Sequence, residues 1–165
     1  MTFSNEMPEV LGESMPFKAL NLVELVAEEV EAGRISFSGM PAGSVMTYHD
    51  PCTLGRQLKI YEAPRTIINA IPGMRFAEMG RHGRDSFCCG AGSYVRYDYP
   101  KLTDTAGLER WKEALGTGAN ILLTSCTSCQ GEFQLVKTQT KDKLEVVDLI
   151  GLVNKLVHVK EVATG

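Results

Sequence analysis

The sequence predicts an α/β domain with a mainly parallel sheet flanked by helices and a cysteine site at the carboxyl ends of the strands. Three observations carry this. Short β-prone runs alternate with helical stretches from residue 45 onward, the pattern of βαβ units. The 165 residues are 44% hydrophobic and 22% charged, enough apolar material to close one core. Each cluster of cysteines trails a β-prone run, where open parallel sheets bind their ligands.

Taken in order, Asn21 with Glu24 three residues on reads as a helix cap with its reciprocal partner. Leu22, Val23, Val26 and Val30 then recur at helical spacing until Gly33. Ser38-Gly-Met-Pro-Ala-Gly43 is a Gly/Pro linker, so residues 1–43 are expected to form a leader helix and linker and residues 44–165 the domain proper. Val45-Met-Thr-Tyr48 is the first strand, broken by Asp50-Pro51. Pro64 suits a first helical turn, and the helix through Thr66–Ile71 stops at Pro72-Gly73. Met74–Met79 is the second strand. Residues 80–100 are irregular. Leu108, Trp111 and Leu115 mark a helix closed by Gly116, and Ile121-Leu-Leu-Thr124 is a buried strand. Cys126–Lys137 is helical, Leu144-Glu-Val-Val147 is the last strand, and Asp148 caps a helix carrying Leu149, Leu152, Val153 and Leu156.

The totals exclude several classes. A net charge of −3, from 17 basic and 20 acidic residues, gives no footprint for nucleic acid or an anionic membrane. No apolar run reaches the roughly 18 residues needed to span a bilayer. Met1–Leu11 lacks a basic segment followed by an apolar one, so no signal peptide is read and a cytoplasmic location is expected. Five cysteines, an odd number in a reducing compartment, argue for metal or redox chemistry over a disulfide framework.

Cys126-Thr-Ser-Cys129 places two thiols on one face of a first helical turn, where free backbone N–H groups favour the thiolate. Cys88-Cys89-Gly90-Ala-Gly92 adds two more. Adjacent cysteines diverge on a strand, so both can serve one site only from an irregular loop. Gly90 and Gly92 permit such a loop and let backbone N–H groups approach bound sulfide. Cys52 completes the set, with 35 residues between Cys52 and Cys88 and 35 between Gly90 and Cys126. A structural zinc site or an ordinary [4Fe–4S] cubane takes four thiolates. Five suit either a larger or irregular iron–sulfur assembly, or a four-ligand site with one free reactive thiol, and zinc stays open as the alternative metal.

The arrangement Cys52, Cys88-Cys89-Gly90, Cys126-x-x-Cys129 resembles the cysteine-rich CCG domain. That domain occurs in the B and D subunits of heterodisulfide reductases and in iron–sulfur subunits of glycolate, lactate and glycerol-3-phosphate oxidoreductases. The flanking text agrees: Tyr48-His-Asp-Pro-Cys-Thr-Leu-Gly-Arg56, Ala63-Pro-Arg65, Ile71-Pro-Gly73, Ser86-Phe-Cys-Cys-Gly-Ala-Gly92 and Gly118-Ala-Asn-Ile-Leu-Leu-Thr-Ser-Cys126. The resemblance implies a non-cubane [4Fe–4S] cluster held by Cys52, Cys88, Cys89, Cys126 and Cys129. It implies thiol–disulfide reduction or electron transfer, the competing class being a zinc-stabilised or apo module that docks with an oxidoreductase.

Family members commonly carry two such repeats where this sequence shows one. A second CCG-like, ferredoxin-like or flavoprotein subunit, or a second copy of the chain, is therefore the expected partner, with a small thiol or disulfide as substrate. His49 and His82 are the candidate proton donors to a departing thiolate. The alternative for His49 is to fix the loop after the first strand. For His82, between Arg81 and Arg84, it is a basic loop that draws in an anionic substrate. His158 reads as the polar face of the last helix. Tyr94, Arg96 and Tyr97 could line the mouth of the site, but aromatic packing is the preferred reading for them.

Overall fold

The computed structural model describes residues 6–92 and 94–159. A short helix α1 (Met7–Leu11) precedes α2 (Leu22–Glu31), whose predicted capping box is complete. The Asn21 side chain accepts the Val23 N–H at 3.0 Å, and Glu24 reaches back to the Asn21 N–H at 3.3 Å. A three-residue strand β1 (Ile35–Phe37) follows.

Four strands form one parallel sheet: β2 (Ser44–His49), β3 (Met74–Phe76), β4 (Ile121–Thr124) and β5 (Glu145–Asp148), in the order β3-β2-β4-β5. The chain leaves β2 to one side to make β3, then crosses to the other side for β4. That reversal is a topological switch point, where adjacent strand ends diverge and leave a crevice. His49 and Thr124, the last residues of β2 and β4, are paired there.

Alternation along the strands fills two cores. Met46, Tyr48, Ile121 and Leu123 face α2, α3 (Glu62–Asn69) and α7 (Leu149–Leu156). Leu122 and Val146 face α5 (Pro100–Gly116), which follows the short α4 (Val95–Asp98), and α6 (Thr127–Thr140), where Trp111, Ala114, Phe133 and Val136 close the second core. His49 turns to that second side and meets the edge of Phe133, ring centroids 5.0 Å apart. The four predicted strands and the main helices are all present, and Asp148 caps α7 by accepting the Gly151 N–H at 2.7 Å.

The departures have physical reasons. β3 stops at Phe76 instead of Met79, because the chain then turns so that Met79 enters the second core. α5 starts at Pro100, well before the predicted apolar stripe, with Pro in its favoured first-turn position. The end of the last helix becomes β6 (Val157–Val159), which pairs antiparallel with β1. His158 therefore lies on a strand and not on a polar helix face, with Nε2 at 2.6 Å from Ser38 Oγ. Within the segment expected as leader and linker, α2 and β1 pack on the same core as β2 through Val23, Ala27 and Phe37.

Candidate metal centre

Each thiol is delivered by the backbone that follows a strand. After β2, Asp50-Pro51 ends extended structure and the chain winds through a π-helical turn, Thr53–Gln57, with Cys52 at its N-cap. Such turns are rare and cluster at functional sites. After β3 a long irregular loop carries Cys88 and Cys89. After β4, Cys126 is the N-cap of α6 and Cys129 lies in its first turn.

The two loops are tied together by Asp50. Its carboxylate accepts Arg65 Nη1 at 2.8 Å, Arg65 Nη2 at 3.0 Å and the Gly83 N–H at 2.8 Å, while its carbonyl accepts Ser86 Oγ at 3.2 Å. Arg65 also binds Glu78 Oε1 at 2.6 Å and the Tyr61 carbonyl at 2.7 Å. A buried carboxylate with a bidentate arginine is a strong, geometrically fixed pair. Here it sets the approach of the Cys88-Cys89 segment to the end of β2.

Gly90 lets that segment close on α5. Its φ is +87°, and a Cβ there would stand 2.9 Å from Ala106 Cβ and 3.0 Å from the Thr103 carbonyl. The Gly90 N–H points at Cys88 Sγ, 3.3 Å away, and its carbonyl accepts Thr103 Oγ1 at 3.2 Å. A Cβ at Gly92 would meet nothing within 4 Å, so packing does not demand that glycine.

The result is a string of thiols. Cys89 and Cys129 are buried with their sulfurs 3.0 Å apart. Cys126 lies near enough to Cys129, and Cys88 near enough to Cys89, to shift each other's protonation, and the charge of Cys52 is felt at Cys88. Hydrogen bonds from Cys129 and Cys88 hold the Cys89 thiol far below its ordinary value. Sharing with Cys126 and Cys89 pushes Cys129 up, and the Cys89 bond together with burial pushes Cys88 up. Cys126 is pulled down to about 6, first by Cys129 and then by the N–H groups of Cys129 and Ser128 at the start of α6. His49, Cys89 and Cys129 bring a ring nitrogen and two sulfurs within 4.8 Å of one another.

His82 does not join this group. It is exposed, and Nδ1 donates to the Met79 carbonyl at 2.7 Å. Arg81 is not free to draw in an anion, being paired with Glu109 at 3.1 Å and Glu113 at 3.2 Å and stacked over Phe87. Tyr94 and Tyr97 pack on each other, ring centroids 6.0 Å apart, and both stay more than 70% exposed. Tyr97 also borders an open groove of about 550 Å³ between Ala91 and Arg96 on one side and Ser128, Gly131 and Leu135 of α6 on the other.

Two buried charged residues were not singled out from the sequence. Arg110 and Glu132 are both essentially inaccessible. Each sits on the buried stripe of its helix, Gly107-Arg110-Trp111-Ala114 and Cys129-Glu132-Phe133-Val136, and a charge in such a stripe was the available signal. Arg96 pairs with Glu132, its Nε 3.0 Å from Oε2. Gly107 makes room for that carboxylate, since a Cβ there would lie 2.6 Å from Oε1.

Residues 46–134 match the model of the CCG family, described as a cysteine-rich domain. The chain belongs to this family. The match runs from β2 to the first half of α6 and so contains all five cysteines. Among curated relatives, the D subunit of the dihydromethanophenazine:CoB–CoM heterodisulfide reductase of Methanosarcina barkeri is 36% identical over 148 residues, 90% of this chain and 36% of that protein. A probable iron–sulfur-binding oxidoreductase of Bacillus subtilis is 29% identical, over 91% of this chain and 21% of its own length. The B subunit of the CoM/CoB fumarate reductase of Methanothermobacter marburgensis is 31% identical over 67% of this chain and 21% of its own. This CCG chain thus spans about a third or less of the length of these relatives. Among the described residues, no helix is long and apolar enough to cross a membrane.

Proposed function

We propose that this CCG domain holds an iron–sulfur cluster, a non-cubane [4Fe–4S], on Cys52, Cys88, Cys89, Cys126 and Cys129, and serves a thiol–disulfide reductase or an electron-transfer chain. What supports this reading is that the three post-strand segments at the switch point of the sheet carry the five thiols, with the Cys89 and Cys129 sulfurs 3.0 Å apart between two of them. The donor set fits the group. Five soft sulfur donors exceed what a tetrahedral zinc site uses, and Cys89 and Cys126 are already disposed toward the thiolate form that binds iron. Names of relatives point the same way: an iron–sulfur-binding oxidoreductase and subunits of a heterodisulfide reductase and a fumarate reductase.

When bound, such a cluster supplies single electrons and a soft iron face toward substrate sulfur. The chain's own residues do the rest. The Asp50–Arg65 pair fixes the loops, and Gly90 brings a backbone N–H to Cys88 sulfur as Gly92 keeps the following backbone open. The groove beside Ser128, the residue before Cys129, would seat a small thiol or disulfide. His82, its Nδ1–H held by the Met79 carbonyl, would protonate a departing thiolate only as the imidazolium, which carries a second proton on Nε2. Breaking a disulfide takes two electrons, so a second redox subunit, or a second copy of the chain, completes the reaction.

The test offers the chemically reduced, iron-loaded protein a panel of small disulfides and thiols under anaerobic conditions. A change in the electron paramagnetic resonance spectrum on adding them supports sulfur chemistry at the site. A spectrum indifferent to every member assigns the domain to electron transfer for a partner oxidoreductase.

A further inference from the structure

His49 ends β2 with its ring almost wholly enclosed, 1% exposed, beside Cys89 and Cys129. Its Nδ1 accepts a hydrogen bond from Arg110 Nε at 3.1 Å. A guanidinium carries only donors, so Nδ1 must offer its lone pair and the proton of the neutral imidazole sits on Nε2. Arg110 has no freedom to change this. Its Nη1 donates to the Arg81 carbonyl and to Glu113 Oε2, both at 2.6 Å, and its Nη2 to Ser86 Oγ at 3.3 Å. Nε2 is then a buried donor that no acceptor among the described residues meets at full hydrogen-bond geometry, and the sulfur it interacts with is that of Cys89. With Nδ1 taken by Arg110, Nε2 is the nitrogen left to face the sulfurs. Buried donors without partners are rare, and one aimed at a ligand site signals the acceptor that belongs there.

We propose that Arg110 locks His49 as a permanent Nε2–H donor to sulfur of the metal centre, either Cys89 thiolate or cluster sulfide, so that His49 is neither a metal ligand nor a proton shuttle. Ligation through Nε2 would require removing the proton that Arg110 holds there. Acting as an imidazolium would place a proton on Nδ1 against an arginine N–H. The proton donor role expected for His49 from its position beside Cys52 is thereby replaced by a fixed hydrogen bond, and Arg110 is its positioning residue. Hydrogen bonds to cluster sulfurs favour the more negative, reduced state and raise the reduction potential. The inference rests on the cluster reading above for its consequence, but not for the tautomer itself.

The test therefore has two arms. In the first, nitrogen-15 labelling of the histidines in the full chain reads the tautomer directly by two-bond proton–nitrogen correlation. The wild type should show His49 as Nε2–H, and Arg110→Met, or Arg110→Lys should the first variant misfold, should redistribute it. A wild-type Nδ1–H ring overturns the proposal whatever metal is present. In the second arm, iron per chain is measured first, and its absence in the wild type counts against the cluster reading alone. In iron-loaded protein, His49→Leu should keep the iron, lower the midpoint potential and abolish an exchangeable proton coupling to the reduced cluster. His49→Gln, whose amide can still donate, should recover part of both. Loss of iron in His49→Leu would make His49 a ligand. An unchanged potential and coupling would leave it without a role at the cluster. Either result overturns the proposal.

Discussion

The two faces of the sheet are built from the same strands and on different principles. Toward α2, α3 and α7 the interior is hydrocarbon: Met46, Ile67, Ile68, Leu123, Leu149 and their neighbours. Toward α5 and α6, Trp111 and Phe133 share the interior with His49, Arg110, Glu132, Thr47 and Thr124. Among the described residues, Thr47 Oγ1, His49 Nε2, Thr124 Oγ1 and Glu132 Oε1 are buried there without hydrogen-bond partners. Polar groups cost free energy when buried unpaired, and native cores keep them few. Tyr61 Oη and Thr140 Oγ1 are the other such atoms among the described residues, so the face that carries the thiols departs further from a purely apolar core.

That contrast can be broken by matched core truncations. Phe133→Ala removes a fully buried ring that packs on both His49 and Trp111. It should cost about 3–5 kcal/mol in denaturant unfolding and also lower the metal bound per folded chain. Ile67→Ala, equally buried on the other face, should cost about 2–5 kcal/mol and leave metal per folded chain unchanged. Equal metal loss in both variants would erase the distinction between the faces.

The glycines of the Cys88-Cys89 loop sharpen it further. Gly90→Ala puts a side chain at positive φ against Ala106 and Thr103. The expected cost is about 1–3 kcal/mol, with reduced metal loading. Gly92→Ala has open space around its Cβ and should stay within about 0.5 kcal/mol of wild type by the same assay.

A smaller, pH-dependent effect comes from Glu113, which anchors Arg110. Burial pushes its carboxyl up, but Arg110 and the Arg81 backbone and side chain outweigh this and hold it below its ordinary value. A carboxylate depressed in the folded state contributes stability above its unfolded pKa and loses it as pH falls through the folded one. Glu113→Gln should therefore cost about 1–2 kcal/mol at neutral pH, a difference that shrinks as the pH is taken below about 4.

How much of this was legible in the sequence follows the same divide. Ile121–Thr124 is the predicted strand residue for residue, and the Asn21–Glu24 capping box is present as read, because period and cap chemistry are local signals. The pairing of β1 with β6 was not legible. Three-residue strands, Ile35–Phe37 and Val157–Val159, lie at opposite ends of the chain, and the second continues a helical pattern. The π-helical turn after Cys52 has no sequence signature apart from its glycine. On the thiol side, residue type and spacing brought forward all five cysteines, and the structure sets Cys89 against Cys129 at 3.0 Å. Arg110 and Glu132 were missed because charged residues on helices read as solvated faces. Only the tertiary closure of α5 and α6 over β2 and β4 turns those positions inward. His49 shows the limit most sharply: its place beside Cys52 was visible, but which nitrogen carries the proton depends on an arginine on another helix.

The central claim is that the five thiols form one iron–sulfur site. It is tested most directly by iron, zinc and acid-labile sulfide analysis of anaerobically purified protein, repeated on each Cys→Ser variant. Wild-type protein should carry about four irons with matching sulfide per chain, and every one of the Cys52, Cys88, Cys89, Cys126 and Cys129 variants should lose iron or show an altered paramagnetic spectrum. About one zinc per chain without sulfide, or Cys52→Ser and Cys89→Ser proteins with iron and spectrum untouched, would contradict it.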